Sequence, residues 1–84
     1  MDKGHRKHYR LAMDIRETVG SNLRRIRLKS GMSQEALSHR AGLAPSFLSQ
    51  IENGKRSPTI TTLAALAGAL NVEVVEFFAK QKQE

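Results

Sequence analysis

The sequence predicts an all-α domain of five helices, and three observations support this fold class. Apolar residues recur at spacings of three and four along most of the chain, as they do on one face of a helix. Glycine, proline or asparagine separates these segments, and serine, threonine or aspartate stands where helices would begin. No stretch carries the signals of a β-strand. Because 84 residues suffice for one small core, we predict a single domain at 14–79, a flexible basic arm at 1–13 and a polar tail at 80–84.

The first helix is predicted to begin at Asp14 and to end at about Lys29, before Gly31. Asp14 and Glu17 have the spacing of a capping box, with aspartate in place of the usual serine or threonine. Leu11 lies four residues before the next apolar residue of the pattern, so an earlier start also stays open. The apolar stripe that should face the core consists of Ile15, Val19, Leu23 and Ile26.

Residues 33–53 hold two short helical patterns that are separated by one glycine. The first helix of the two is predicted over Ser33–Ala41, with serine at its N-cap. Gly42 can take the left-handed conformation that ends a helix. A helix predicted over Pro45–Glu52 follows, with proline at its first position. The residues expected to face inward are Leu37, Ala41, Leu43, Leu48 and Ile51. Two helices joined by so tight a turn cross steeply, so a helix-turn-helix is predicted.

The chain after this motif is predicted to contain a loop, a fourth helix and a short fifth helix. Thr59 or Ser57 can cap the fourth helix, and Asn71 is expected to end it. Its apolar face consists of Leu63, Leu66, Ala67 and Leu70. The fifth helix is expected to fill the core with Val72, Val74 and Phe77. Val75 and Phe78 then fall on another face, and such an exposed apolar patch is suited to contact with a partner.

The composition narrows the classes of function. The formal net charge is +6, and nine basic residues face three acidic ones before Ser33, whereas five balance five from Ser33 onward. This excess of positive charge favours a polyanionic partner. The absence of cysteine excludes disulfides, thiolate metal sites and a cysteine nucleophile. Because no apolar run follows the basic N-terminus, no signal peptide or membrane span is predicted, and the cytoplasm is the expected location.

A set of residues at fixed offsets runs through the predicted helix-turn-helix and the loop that follows it. It consists of Gln34, Leu37, Gly42, Leu48, Ile51, the run Glu52-Asn53-Gly54-Lys55 and the run Ser57-Pro58-Thr59. Together these residues resemble the helix-turn-helix of the lambda-repressor/Cro (Xre-type) family, and the likeness covers about residues 15–79. The resemblance implies a five-helix lambda-repressor-like domain that binds double-stranded DNA sequence-specifically. It also implies a small stand-alone regulator of transcription that needs no cofactor.

The same resemblance assigns roles to individual residues. Base readout is expected from the outer face of the third helix, which carries Pro45, Ser46, Ser49 and Gln50. Contacts with DNA phosphates are expected from Ser33, Gln34, Asn53, Lys55 and Arg56. Arg27 is expected to form a structural ion pair with Glu52, with a solvated arginine as the alternative. Close helix packing is implied at Gly20 and Ser38, whereas Phe47 can either pack on the core or press against the sugar–phosphate backbone.

A homodimer is expected because one module of this size touches few base pairs, and two half-sites supply adequate specificity. Val75 and Phe78 are the residues expected at the dimer interface. For the basic arm at 1–13, two interpretations stay open: a disordered terminus, or an arm that follows DNA phosphates or enters a minor groove. The spacing of His5 and His8 suits a metal on a helix, but no third ligand lies nearby, so no metal site is predicted.

Two other classes of function are weighed against DNA binding. A protein–protein interaction module, for example an antitoxin, would retain the helix-turn-helix as a scaffold and bind an unidentified partner through Val75 and Phe78. An enzyme would need a base beside its helical serines, and His39 is not placed by the sequence to serve as one. No catalytic residue is therefore predicted, and the chain is not expected to be an enzyme.

Overall fold

The structure is a computed structural model that describes the backbone of residues 3–80 and the side chains of residues 15–80. The elements in chain order are α1 (Lys3–Lys29), α2 (Gln34–Ala41), α3 (Pro45–Glu52), α4 (Ile60–Leu70) and a 3₁₀-helix (Val74–Phe78). No strand occurs within residues 3–80, and no helix there is long and apolar enough to cross a membrane. The predicted all-α class is confirmed, and α2 and α3 form the predicted helix-turn-helix.

The predicted count of five α-helices is wrong, because the last element is a 3₁₀-helix of five residues. A segment this short gains too few hydrogen bonds to offset the cost of nucleating an α-helix. A 3₁₀-helix has about three residues per turn, so residues three apart lie on the same face. Val74 and Phe77 accordingly pack in the core, whereas Val75 and Phe78 are exposed.

The start of α1 also differs from the prediction. The helix begins at Lys3, so Asp14 and Glu17 lie inside it and do not form an N-terminal capping box. Residues 3–13 of the predicted arm are continuous with α1 in the backbone, and a separate role for the arm on DNA stays a prediction. Two further features lie outside the described residues: the side chains of His5 and His8, and the tail at 81–84.

The hydrophobic core lies where the four α-helices and the 3₁₀-helix meet. Its buried residues are Val19, Leu23, Ile26, Leu37, Leu48, Ile51, Leu63, Leu66, Ala67, Leu70 and Phe77. Each large apolar side chain that is fully removed from water contributes about 1.5–3 kcal/mol. Ile15, predicted for the apolar stripe of α1, is instead 47% exposed. Its side chain lines an open groove on the surface instead of the closed core.

The helices α1 and α3 approach each other closely at Gly20. A Cβ atom at this position would lie 2.4 Å from the carbonyl oxygen of Ile51 and 2.8 Å from that of Glu52. Only a residue without a side chain therefore allows α1 to approach the end of α3 so closely. The expectation of close packing at Gly20 is confirmed. Ser38 of α2 is likewise fully buried, and its hydroxyl donates to the carbonyl oxygen of Glu35 at 3.1 Å, so no buried hydroxyl is left unpaired there.

Asn22 attaches the C-terminal segment to α1. Its side chain is fully buried, and Nδ2 donates to the carbonyl oxygens of Phe77 at 2.9 Å and of Ala79 at 2.8 Å. Its Oδ1 accepts from Nη2 of Arg25 at 3.1 Å. Carbonyl groups at the end of a short helix lack partners within that helix, and this amide supplies two donors for them. The contact therefore fixes where the 3₁₀-helix lies on α1.

Candidate nucleic-acid interface

Local signals fix the ends of the helices on either side of the turn. Ser33 Oγ accepts from the backbone N–H of Ala36 at 3.0 Å, which caps the N-terminus of α2. Gly42 has a φ of 77° and ends α2 in the left-handed conformation that glycine adopts without strain. Pro45 then begins α3, where its missing N–H removes no helical hydrogen bond. The turn that joins the two helices is therefore set by the sequence at each of its ends.

A buried ion pair ties the C-terminal end of α3 to α1. Arg27 Nε donates to Glu52 Oε2 at 2.7 Å, and Arg27 Nη2 donates to Glu52 Oε1 at 3.1 Å. The two side chains are only 7% and 2% exposed, so Arg27 is not a solvated surface residue. Gln34 Nε2 also donates to Glu52 Oε1, at 2.9 Å, and Arg27 Nη1 donates to the carbonyl oxygen of Met32 at 2.8 Å. α1, α2 and α3 therefore meet at one charged cluster, formed by Arg27, Gln34 and Glu52.

The geometry of this charged cluster indicates a positioning role. Removing two charges from water costs several kcal/mol, and their attraction offsets that cost only where further hydrogen bonds complete the site. Glu52 accepts three hydrogen bonds, two of them from a single guanidinium group, and a bidentate contact of this kind has a fixed orientation. A rotation of α3 about its axis would break these bonds. The cluster therefore determines which side of α3 faces outward.

The outer side of α3 presents polar groups to solvent. Its core side is fully buried at Leu48 and Ile51. The four residues predicted to read bases lie on the accessible side, with Ser49 partly exposed and the others exposed: Pro45, Ser46, Ser49 and Gln50. The fold thus brings these residues together on one helix, and their contacts with bases stay a prediction.

The residues predicted to contact phosphates flank α3 at two places. Ser33 and Gln34 lie at the N-terminus of α2, which the charged cluster holds beside the end of α3. The loop after α3 carries the other three, all of them exposed: Asn53, Lys55 and Arg56. Four of these five predicted residues already have partners within the protein: Ser33 caps α2, Arg56 contacts α3, and the other two are Gln34 and Asn53. Gln34 binds the charged cluster, and Asn53 Nδ2 donates to the carbonyl oxygen of Ser49 at 3.0 Å.

Arg56 folds back from this loop onto α3. Its Nε donates to Gln50 Oε1 at 2.8 Å, and its guanidinium carbon lies 5.4 Å from the centre of the Phe47 ring. Phe47 is half-buried and packs against the core, which favours the first of its two interpretations. Sequence patterns did not indicate the contact between Arg56 and Gln50, because it joins a helix to the loop beyond it. Only the folded loop brings the two side chains together.

A second surface of the domain is apolar. It forms a groove of about 190 Å³ lined by Ile15, Arg16, Val19, Ser57, Pro58, Ile60, Leu63 and Phe78. Ile60 is 82% exposed, and Phe78 is 42% exposed. Val75 is 70% exposed and lies outside the lining of the apolar groove. Of the two residues predicted for a dimer interface, Phe78 therefore belongs to a larger apolar surface that the sequence did not indicate.

Three comparisons with known proteins agree with this geometry. The model of a family described as helix-turn-helix matches residues 23–77. The chain is 47% identical over 64 residues to an uncharacterized HTH-type transcriptional regulator, y4dJ, of Sinorhizobium fredii, with 76% of this chain and 83% of the relative covered. It is 36% identical to the control protein C.SmaI of Serratia marcescens, with 82% of each covered. The crystal structure of the restriction-modification controller protein C.AhdI from Aeromonas hydrophila matches with a TM-score of 0.74 at 35% identity, covering 75% of this chain and 96% of that one.

Proposed function

The chain belongs to the helix-turn-helix family and regulates transcription by binding DNA, and we propose that it reads a specific double-stranded sequence with α3 in the major groove. The observation that carries the proposal is the outer side of α3, which is polar and accessible while its orientation is fixed by the pair of Arg27 and Glu52. The relatives named above are a transcriptional regulator and control proteins, which supports a role other than catalysis. The cytoplasm remains the expected place of action.

We assign base readout to Gln50, Ser46 and Ser49. An amide can donate and accept at once, and a hydroxyl can do either, so these groups can match several major-groove edges. Pro45 has no side-chain hydrogen bond to offer, and its ring suits an apolar contact with a thymine methyl group. A good bidentate contact discriminates against the wrong base by about 1–3 kcal/mol. Readout would therefore depend most on Gln50, because its amide can make two hydrogen bonds to one base at once whereas a serine hydroxyl can donate only one.

We assign the contacts with DNA phosphates to the two segments beside α3, the N-terminus of α2 and the loop after α3. The N–H groups at the start of α2 and the positive end of its dipole favour an anion. Ser33 keeps its hydroxyl proton for donation, and Gln34 Nε2 has a second N–H beyond the one given to the charged cluster. Asn53, Lys55 and Arg56 supply donors from the loop that follows α3. Such contacts carry no sequence information, and they fix the register in which α3 meets the bases.

We further propose that two copies associate through the surface that carries Val75 and Phe78. Both side chains are exposed, and Phe78 continues into the apolar groove beside Ile60. Covering about 100 Å² of aromatic surface per subunit contributes roughly 2–3 kcal/mol, which favours a weak dimer over a tight one. We expect its dissociation constant in the micromolar range, with binding strengthened on DNA by two adjacent half-sites. The two α3 helices would then contact two half-sites, and the symmetry would raise specificity beyond that of one module.

The apolar groove also supports a second candidate function, a module that binds another protein and keeps the helix-turn-helix as a scaffold. A continuous patch of exposed apolar residues often marks a surface that contacts another protein, whereas single exposed apolar residues are normal. The two candidates differ in what the outer side of α3 does. If the helix-turn-helix is only a scaffold, the protein should bind its partner and show no preference among DNA sequences. If the protein is a regulator, a variant that loses the DNA preference should also lose its function.

Selection of bound duplexes from a random oligonucleotide pool tests the proposed function, because it reports binding, motif and symmetry at once. We expect an enriched motif with two related half-sites. Enrichment of no motif at low salt would contradict sequence-specific binding by α3. An enriched motif without a second half-site would contradict only the homodimer.

A further inference from the structure

Arg56 is held against α3 by two contacts on different parts of its side chain. Its Nε donates to Gln50 Oε1 at 2.8 Å, and its guanidinium carbon lies 5.4 Å from the centre of the Phe47 ring. A cation at this distance from a ring is attracted to the negative ring face, and the flat guanidinium group stacks there as an ammonium group does not. The position of Arg56 is therefore defined by the protein itself, although the residue is exposed.

This contact determines the orientation of the Gln50 amide. A glutamine amide can rotate by half a turn and exchange its oxygen with its nitrogen, and only hydrogen-bond partners distinguish the two orientations. Arginine has N–H donors and no acceptor, so the Gln50 atom that meets Nε is the oxygen. The Gln50 Nε2 group, with its two N–H donors, then points away from Arg56.

We propose that Arg56 is a positioning residue that sets the base preference of Gln50 by turning it into a hydrogen-bond donor. The inference rests on the proposed function, in which Gln50 reads a base in the major groove. A freely rotating glutamine pairs best with adenine, because it can accept from N6 and donate to N7 at the same time. Arg56 uses one lone pair of Oε1 and holds that oxygen on its own side, so Gln50 offers its two N–H groups to the base instead. Guanine presents two neighbouring acceptors, O6 and N7, so guanine becomes the favoured base.

The same arrangement connects base readout with a phosphate contact. Arginine carries five N–H donors, and Gln50 uses only the one on Nε. The terminal nitrogens of Arg56 remain able to donate to a DNA phosphate in the bidentate manner typical of arginine. A lysine at this position would keep the positive charge for the phosphate, but its freely rotating ammonium group could neither hold Gln50 in one direction nor stack on Phe47. Charge and positioning can therefore be separated by a single substitution.

The test measures two quantities for the wild type, Arg56→Lys, Phe47→Leu and Lys55→Ala. The first is the DNA motif enriched from a random oligonucleotide pool, and the second is the salt slope, the change of log binding constant with log salt concentration. For the wild type we expect guanine at the base position whose preference is lost in Gln50→Ala. Arg56→Lys should keep the wild-type salt slope and lower the preference for guanine over adenine by about tenfold, within the range of one bidentate contact. Phe47→Leu should also lower the preference for guanine over adenine, because the ring on which the Arg56 guanidinium stacks is gone. Lys55→Ala is the matched control, and it should lower the salt slope by about one unit with the motif unchanged.

The outcomes separate this inference from the proposed function. A wild-type preference for adenine at the Gln50 position would overturn the inference, as would an Arg56→Lys motif identical to that of the wild type. In both cases sequence-specific binding by α3 would stand. If Gln50→Ala left the motif unchanged, or if the wild type enriched no motif, the assignment of α3 would itself fail. Circular dichroism of each variant checks that the fold is intact, which we expect because Arg56 is exposed and Phe47→Leu keeps an apolar side chain.

Discussion

Replacing Gly20 by alanine tests the contact that holds α3 against α1. In an unpacked helix the same change raises stability by about 1 kcal/mol, because alanine has the higher helix propensity. At Gly20 the new Cβ would lie 2.4 Å from the carbonyl oxygen of Ile51, whereas ordinary contacts begin at 3.4 Å. The two helices would therefore have to separate by about 1 Å to make room for one methyl group.

The expected magnitude follows from the kind of atom that the methyl group meets. The nearest atoms belong to the backbone of Ile51 and Glu52, and backbone cannot rotate away as the end of a side chain can. Overpacking costs about 1–3 kcal/mol and sometimes more, and rigid neighbours place this site at the upper end. After the gain in helix propensity, the free energy of unfolding should fall by about 2 kcal/mol. For a domain of this size the melting temperature should then fall by about 8–16 °C.

Gly68→Ala is the matched control for this experiment. Gly68 also lies in a helix, α4, and a Cβ there would meet no heavy atom within 4 Å. The identical change should therefore raise stability by about 0.5–1 kcal/mol. Thermal and urea denaturation of the wild type and both variants, followed by circular dichroism at one protein concentration, measures the difference. A common concentration matters because association would shift the apparent stability.

The reasoning is refuted if Gly20→Ala is as stable as Gly68→Ala, because α1 and α3 would then not touch at this point. A variant with unchanged stability but weaker DNA binding would have a different meaning. It would show that α3 shifts to relieve the overlap and that its position matters for recognition.

Four further predictions concern base readout, a phosphate contact, the ion pair and the dimer. Gln50→Ala should weaken binding to the selected sequence by about 1–3 kcal/mol and relax one base position, and an unchanged motif would refute its role. Lys55→Ala should weaken all duplexes alike, with a salt slope lower by about one unit in titrations at several salt concentrations. Replacing Arg27 or Glu52 alone leaves an unpaired buried charge and should cost about 3–5 kcal/mol, whereas replacing both with apolar residues should cost less. A double-mutant cycle from urea denaturation measures this coupling, and its absence would show that the pair does not stabilise the fold. Phe78→Ser should yield a folded monomer that binds one half-site weakly. Sedimentation at several concentrations checks this, since an unfolded variant would place Phe78 in the core and a dimeric one would place the interface elsewhere.

Features that depend on neighbouring residues were predictable from the sequence. Ser33 and Gly42 determine the ends of α2 through their own backbone and side-chain chemistry, so the turn could be located without knowing the rest of the fold. The same holds for Asn71, which ends α4, whereas the sequence left Ser57 open as an alternative to Thr59, the observed N-cap. The pairing of Arg27 followed from the resemblance to a family, because nothing in its local sequence distinguishes a buried arginine from a solvated one.

Features that depend on distant contacts were missed or misjudged. Ile15 has the spacing of a core residue, but it lines the apolar groove and stays half exposed. Asn22 lies among the apolar residues of α1, and its role appears only when the C-terminal carbonyls are brought beside it. The spacing of Val74 and Phe77 suits both an α-helix and a 3₁₀-helix, so periodicity could not distinguish them. The contact between Arg56 and Gln50 requires the loop to fold back, which no helical pattern records.

Two residues of α1 have a joint consequence for the operator. Gly20 touches the end of α3, and Asn22, half a turn further on, holds the segment that carries Phe78. In the proposed dimer, a short segment of α1 thus connects the subunit interface with α3, and this segment is continuous helix. The separation of the two α3 helices is then a fixed length. Inserting one base pair between the half-sites moves the second half-site by about 3.4 Å and turns it by roughly 34°. Two α3 helices at a fixed separation could then not contact both half-sites. Binding would then be tight at one spacing of the half-sites, and at a spacing one base pair longer the affinity would fall to that of a single half-site.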